Sequence, residues 1–200
     1  SGTGSEATRT CVITNSETGI KLGMNSDFTV FDELILDSVL TRTVPSDQYF
    51  FTGMDAYIHC IEALAGSYRN SIGDALSEQS LRLSRQVFLH GNMKSNDNRA
   101  KLMVSSYLGG CAIATSYVGL VHPFSAGLSV VLGLHHGVAN CIALMALEEF
   151  YESAHDELLA MADRQGISIP TGVCAGLTDS EFEQLYSATI VHEKPLTNAL

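Results

Sequence analysis

The period of the apolar residues changes once along this 200-residue chain, near Ser46. Before it, "TRTCVIT" and "FTVFDELIL" are short, β-branched runs bounded by the turn clusters "NSETG" and "NSD", a pattern that predicts two or three strands. Pro45 closes that region, and "PSD" opens a helix. From there "DQYFFTGMDAYIHCIEALAG", "IGDALSEQSLRLSRQVFLHG" and "NDNRAKLMVSSYLGGCAIATSYVG" carry apolar residues at helical spacing. "VHPFSAGLSVVLGLHHGVAN" and "NCIALMALEEFYESAHDELLAMADRQG" follow, and "TDSEFEQLYSATI" starts with the capping-box pair Thr178 and Glu181. These segments predict five to seven helices with short links. The fold expected is therefore mainly α: a strand-containing piece over residues 1–45, then an all-helical domain over 46–200.

Charged residues make up 16% of the chain against 46% hydrophobic. So little charge implies that much of the surface is covered by another domain or a subunit partner. The net charge of −11 and the lack of any basic run argue against nucleic acid, since nothing here neutralises a row of phosphates. Five widely spaced cysteines without a C-x-x-C suit free thiols in a reducing compartment and weigh against a zinc–thiolate site. No secretory signal opens the chain, and a cytoplasmic location is expected. Residues 111–134 are apolar enough to raise the membrane question, but His122–Pro123, three serines and three glycines make a poor bilayer span. A buried helix pair is the expectation.

Three of the seven histidines, His122, His135 and His136, fall in the apolar run "VHPFSAGLSVVLGLHHGVAN" at residues 121–140, where an unpartnered imidazole is costly. Upstream, Asp55 and His59 stand four apart, which on a helix is about 40° of separation on one face. His122 and His136 sit in two segments that Gly133 is expected to divide. Together the four make a candidate site of one carboxylate and three imidazoles, a donor set that suits Fe(II) or Zn(II) better than Mg(II) or Ca(II). The competing reading is core histidines bonded to backbone and an Asp–His staple within one helix. His135 adjoins His136 and points elsewhere, so at most one of the two is a ligand. His90 and His155 lie in polar helical contexts and are expected to be solvated. His192 begins "HEKP" rather than H-E-x-x-H, so it gives no metalloprotease signal.

"GTGSE", "GMDAYIHCIE" and "GLVHPFSAGLSVVLGLHHGVAN" occur in this order, and together they resemble the iron-containing (group III) alcohol dehydrogenases. The likeness runs through most of the chain. "CIEALAGSYRN", "CAIATSYVGLVHPFSAGLSVVLGLHHGVANC" and "IVHEKPLTNAL" resemble one branch of that family, the 3-deoxy-D-manno-octulosonate 8-oxidase type. The resemblance implies the end of an α/β nucleotide-binding domain followed by an all-helical metal-binding domain, with the pyrophosphate loop upstream of Ser1. It implies Asp55, His59, His122 and His136 as ligands to Fe2+, with Zn2+ as the other candidate. It also implies Thr3, Ser5, Thr10 and Lys21 as neighbours of an NAD(P) cofactor, or oxygen as the acceptor in the 8-oxidase branch.

One position departs from the pattern. Many relatives carry a second histidine four residues after the ligand at 122, thought to assist proton transfer, and here that position is Ala126. His135 or a bound water is the candidate replacement as proton carrier. The implied reaction is oxidation of a primary alcohol to an aldehyde, with the C8 hydroxyl of 3-deoxy-D-manno-octulosonate in lipopolysaccharide amino-sugar synthesis as the substrate from the branch resemblance. Arg69 and Lys194 are candidate partners of a sugar-acid carboxylate, against ordinary surface ion pairs. The rival functions are a general iron alcohol or diol dehydrogenase, a metal-dependent lyase similar to dehydroquinate synthase, and a non-catalytic helical dimerisation module. A homodimer is the expected assembly, with a small-molecule substrate and neither nucleic acid nor membrane as partner.

Overall fold

The computed structural model describes residues 2–18 and 21–199. Its only sheet among these residues is an antiparallel hairpin of β1 (Thr10–Thr14) and β2 (Lys21–Asn25), with Thr10 opposite Asn25 and Thr14 opposite Lys21. Eight α-helices follow: α1 (Ser46–Ala65), α2 (Ser71–Phe88), α3 (Asn96–Ser116), α4 (Val121–Leu132), α5 (His136–Ala146), α6 (Glu152–Gln165), α7 (Asp179–Ile190) and α8 (Glu193–Asn198).

The caps are written locally in the sequence. Pro45 precedes the first turn of α1. Asn70 Oδ1 accepts from Gly73 N at 3.0 Å, and Ser95 Oγ from Asn98 N at 3.2 Å, so α2 and α3 each have a side-chain N-cap. Thr178 and Glu181 form the expected capping box of α7. Gly133 and Gly166 end α4 and α6 in the left-handed region, at φ 66° and 68°, where a Cβ would be strained.

α1 is the central helix. Tyr49, Phe50, Phe51, Met54, Tyr57, Ile58 and Cys60 are all buried, so it is apolar on nearly every side and is surrounded. α2, α3, α5 and α6 pack on it, while α4 bridges α5 and α7. The approach of α5 is close: a Cβ on Gly137 would stand 2.5 Å from the Phe51 carbonyl oxygen. Residues 111–134 are not one helix; α3 and α4 meet at a 108° bend, and no single described helix is long and apolar enough to cross a membrane.

Two expectations fail. "FTVFDELIL" forms no strand. Ser26 Oγ accepts from Phe28 N, turning the chain into a short 3-10 segment at Asp27–Thr29. The residues after it have no described neighbour strand to supply a ladder, and Phe28 and Ile35 are 99% and 83% exposed. Alternating β-branched residues favour a strand only where a partner takes up the backbone polar groups. The helix count is also one higher than expected. The run after Asn140 breaks at 147–151, where buried Leu147 and Tyr151 turn the chain back toward α1, with neither proline nor glycine to announce it.

A part-buried network joins the helices. Glu157 of α6 accepts from Tyr57 Oη of α1 at 2.5 Å and from Arg85 of α2 at 2.5 and 2.9 Å. Burial acts to raise the Glu157 carboxyl, but Arg85 and Tyr57 prevail and hold it below the usual range. A lowered folded-state pKa means stabilisation that is complete above the unfolded value and is lost as pH falls through the folded one. Glu157→Gln is therefore expected to destabilise the chain by about 1–3 kcal/mol at neutral pH. The gap to the unsubstituted chain, followed by urea unfolding at stepped pH, should narrow below about pH 4.3, the usual glutamate value. Gly137→Ala is expected to cost about 1–3 kcal/mol, because the clash is with backbone and α5 must move; thermal unfolding checks this.

Candidate metal centre

Three helices deliver the titratable side chains. Asp55 and His59 come from the middle of α1, His122 from the first turn of α4, and His136 from the first residue of α5. The bend into α4 and the turn at Gly133 bring the last two histidines back onto α1.

The geometry converges on one oxygen. Asp55 Oδ1 lies 3.4 Å from His122 Nε2, 3.4 Å from His136 Nε2 and 3.7 Å from His59 Nε2. Asp55, His122 and His136 offer donor atoms that all fall within 4.8 Å of one another, a group able to hold a metal ion. His59 stands beside this trio, its ring stacked on that of His122 at 4.7 Å between centroids. Donor atoms on a tetrahedral ion with bonds of about 2.1 Å stand about 3.4 Å apart, whereas a well-made N–H···O bond is near 2.9 Å. His122 Nε2 is buried and has no hydrogen-bond partner among the described residues. Spacing, donor set and this orphaned nitrogen all fit a divalent ion with nitrogen and oxygen ligands.

Electrostatics hold the carboxylate ready. Burial alone would raise the Asp55 pKa, but His59, His136 and His122 outweigh it and keep Asp55 ionised well below the ordinary range. Burial likewise disfavours a charged His122, yet Glu62 and then Asp55 reverse this and raise its ring to about 10 in the metal-free chain.

Two residues not singled out from the sequence complete the arrangement. Asn140, one turn after His136 on α5, donates from Nδ2 to Asp55 Oδ1 and sits 3.3 Å from His136 Nε2. Glu62, on the Asp55 face of α1, contacts His122 Nδ1 through Oε2. Their spacings, i+4 from His136 and i+7 from Asp55, place each on the face of its helix that carries a candidate ligand.

The remaining candidates lie elsewhere. The "GTGSE" loop rests on α1 and α3: a Cβ on Gly2 would meet Thr52, one turn before Asp55, and Gly4, at φ 80°, lies against Ser106 and Gly110. Within it Ser5 N donates to Thr3 Oγ1 at 3.4 Å. Thr10 Oγ1 bonds Asn25 Oδ1 across the hairpin at 2.5 Å. The backbone of Lys21 pairs in β2, and its side chain lies outside the described residues. His135 is exposed at the N-cap of α5, and its ring has no hydrogen bond or ion pair among the described residues. Ala126 is buried in α4. Arg69 is taken by Asp74 at 2.9 Å, and Lys194 Nζ lies 3.4 Å over the Tyr117 ring. His90 is exposed as expected, but His155 is buried, because its helix turns that face onto the core beside Leu158. Cys60 and Cys141 are buried free thiols, and the other three cysteines are free and half-buried.

Comparison with known proteins adds three findings. Residues 50–175 match the description "Fe-containing alcohol dehydrogenase family, C-terminal". The chain is 34% identical over 143 residues to the sulfoacetaldehyde reductase of Bilophila wadsworthia, covering 70% of this chain and 36% of that protein. It is 33% identical over 174 residues to the 1,3-propanediol dehydrogenase of Klebsiella pneumoniae, covering 84% and 44%. It thus spans less than half the length of these relatives. Among solved structures, the sulfoacetaldehyde reductase of Bifidobacterium kashiwanohense in complex with NAD+ superposes with a TM-score of 0.84 at 22% identity, over 98% of this chain and 57% of that one, a likeness of fold.

Asn140→Ala removes a donor to a buried carboxylate. It is expected to lower the stability of the metal-free chain by about 1–3 kcal/mol at pH 7, measured by urea unfolding. A change below about 0.5 kcal/mol, the size usual for an unengaged surface position, would remove Asn140 from the site.

Proposed function

The chain belongs to the Fe-containing alcohol dehydrogenase family, and on that premise we propose that it is the metal-binding part of an oxidoreductase interconverting a primary alcohol and its aldehyde. The observation that carries this reading is the convergence of Asp55 Oδ1 with His122 Nε2 and His136 Nε2 at 3.4 Å. Asp55, His59, His122 and His136 would hold Fe2+, with Zn2+ admitted by the same donor set. The ion supplies Lewis acidity at the substrate oxygen, and a nicotinamide cofactor supplies or accepts the hydride.

The chain's own residues do the rest. Asp55, kept ionised by its neighbours, neutralises part of the ion's charge. Asn140 fixes the Asp55 oxygen. The apolar residues of α1 bury Asp55, while the His136 side chain, 39% exposed, leaves the site open on the α5 side. The "GTGSE" loop, seated on α1 beside Thr52, brings Thr3 and Ser5 toward the turn of α1 that precedes Asp55, which supports their role as neighbours of NAD(P). Residues 1–45 are read as the end of the nucleotide-binding domain and 46–200 as the metal-binding domain. With Ala126 in place of a histidine, the proton carrier in this proposal is His135, exposed beside His136. His135→Ala is expected to lower kcat by about 100-fold, with partial rescue by added imidazole.

For substrate, the relatives' names cover sulfoacetaldehyde and 1,3-propanediol, so a short alcohol or diol fits the site as well as the sugar acid does. The C8 hydroxyl of 3-deoxy-D-manno-octulosonate, with oxygen as an alternative acceptor, rests on the branch resemblance of "CIEALAGSYRN", "CAIATSYVGLVHPFSAGLSVVLGLHHGVANC" and "IVHEKPLTNAL". The test is anaerobic loading with Fe(II), metal analysis, and assay of a chain extended upstream of Ser1 with NAD+, NADP+ or oxygen. Substrates would be 1,3-propanediol, 1-propanol and the eight-carbon sugar acid. The expected result is one retained Fe per chain and alcohol oxidation that a chelator abolishes. Failure to retain any metal under excess Fe(II) would overturn the reading.

A further inference from the structure

We propose that Glu62 is the positioning residue of the metal centre, fixing which nitrogen of His122 faces the ion; this rests on the reading of His122 as a ligand. Glu62 is fully buried, 0% exposed, and a buried carboxylate persists only with donors around it. Its donors all come from the start of α4. Oε1 accepts from Val121 N at 2.6 Å and from His122 N at 3.4 Å, while Oε2 meets His122 Nδ1. α4 has no side-chain cap of its own, since Leu120 occupies its N-cap position. Glu62 therefore caps α4 from another helix and places its negative charge at the positive end of the helix dipole.

The chemistry of the pair sets the ring. An ionised carboxylate only accepts, so the nitrogen that faces it must carry a proton. With the proton on Nδ1, the opposite nitrogen, Nε2, is the one turned to Asp55, and it is buried without a hydrogen-bond partner among the described residues. The other two rings lack such support: His59 Nδ1 and His136 Nδ1 are buried without partners among the described residues. One buried carboxylate thus anchors both the helix that carries His122 and the orientation of its ring. Carboxylate–histidine–metal relays of this kind raise ligand basicity and pin the tautomer.

Glu62→Gln keeps the shape and can still accept from Val121 N, but it presents an amide donor toward His122 Nδ1. Two measurements test the proposal. In the metal-free chain, at a pH above the raised His122 value so that the ring carries a single proton, nitrogen-resolved NMR is expected to place that proton on Nδ1, shifted downfield and slow to exchange, and to show it leave Nδ1 in Glu62→Gln. Competition titration with Zn(II) and Co(II) is expected to show affinity about 10–100-fold weaker in the variant, with a changed Co(II) visible spectrum. A variant that retains both the Nδ1 proton and the affinity overturns the proposal. So does an unsubstituted chain whose His122 Nδ1 carries no slowly exchanging proton, a result obtained even if Glu62→Gln fails to fold. If the unsubstituted chain shows the Nδ1 proton but binds no metal, the metal reading fails and the role of Glu62 toward a metal falls with it. If the chain binds metal but lacks the proton, only the present proposal fails.

Discussion

A carboxylate buried in the middle of an apolar helix is the constraint on which the rest of this structure turns. Asp55 lies on α1, the helix that α2, α3, α5 and α6 pack against, and water does not reach it. Such a charge is tolerable only if compensating groups are brought to it. The fold does so by reversing direction twice, at the 108° bend into α4 and at the left-handed Gly133. Both reversals deliver a histidine to the same carboxylate oxygen. Asn140 and Glu62 then secure the carboxylate and one ring from behind. Close approach of the backbone at Gly137 makes the α1–α5 seam narrow enough for this.

The helical part and the residues of the candidate centre were largely legible in the sequence, for physical reasons that also mark the limits. Asp55 and His59 share a face because four residues are close to one turn. Gly133 announced the break between His122 and His136 because only glycine adopts that backbone without cost. Glu62 and Asn140 obey the same periodicity, yet an isolated Glu or Asn on a helix carries no signal until its partner on another helix is known. The strand expected at "FTVFDELIL" rested on local preference alone. Ser26 offers the backbone a turn instead, and no described strand competes for it. The break at 147–151 depends on where Leu147 and Tyr151 find burial, a tertiary choice that no local residue encodes. The cofactor side is the thinnest part: Thr10 is bonded within the hairpin, and the Lys21 side chain lies outside the described residues.

The low charge content of the chain finds a counterpart in its surface. Val12, Ile13, Phe28, Phe31, Ile35 and Leu40 stand exposed between residues 12 and 40, a concentration of apolar area beyond what a scattered surface would show. The helical part, by contrast, encloses its core and its polar networks. Of the two, the helices hold everything that the proposed chemistry needs for a metal, and the strand-containing region holds the loop that would face a nucleotide.

The central claim is that Asp55 and the histidines around it are the ligands of one divalent ion. X-ray absorption on the Fe(II)-loaded or Zn(II)-loaded chain tests it most directly. The account predicts a shell of oxygen and nitrogen at about 2.0–2.2 Å, with the outer-shell scattering of two or three imidazoles and no sulfur. A spectrum showing only water oxygens, or a sulfur neighbour from one of the cysteines, would contradict it.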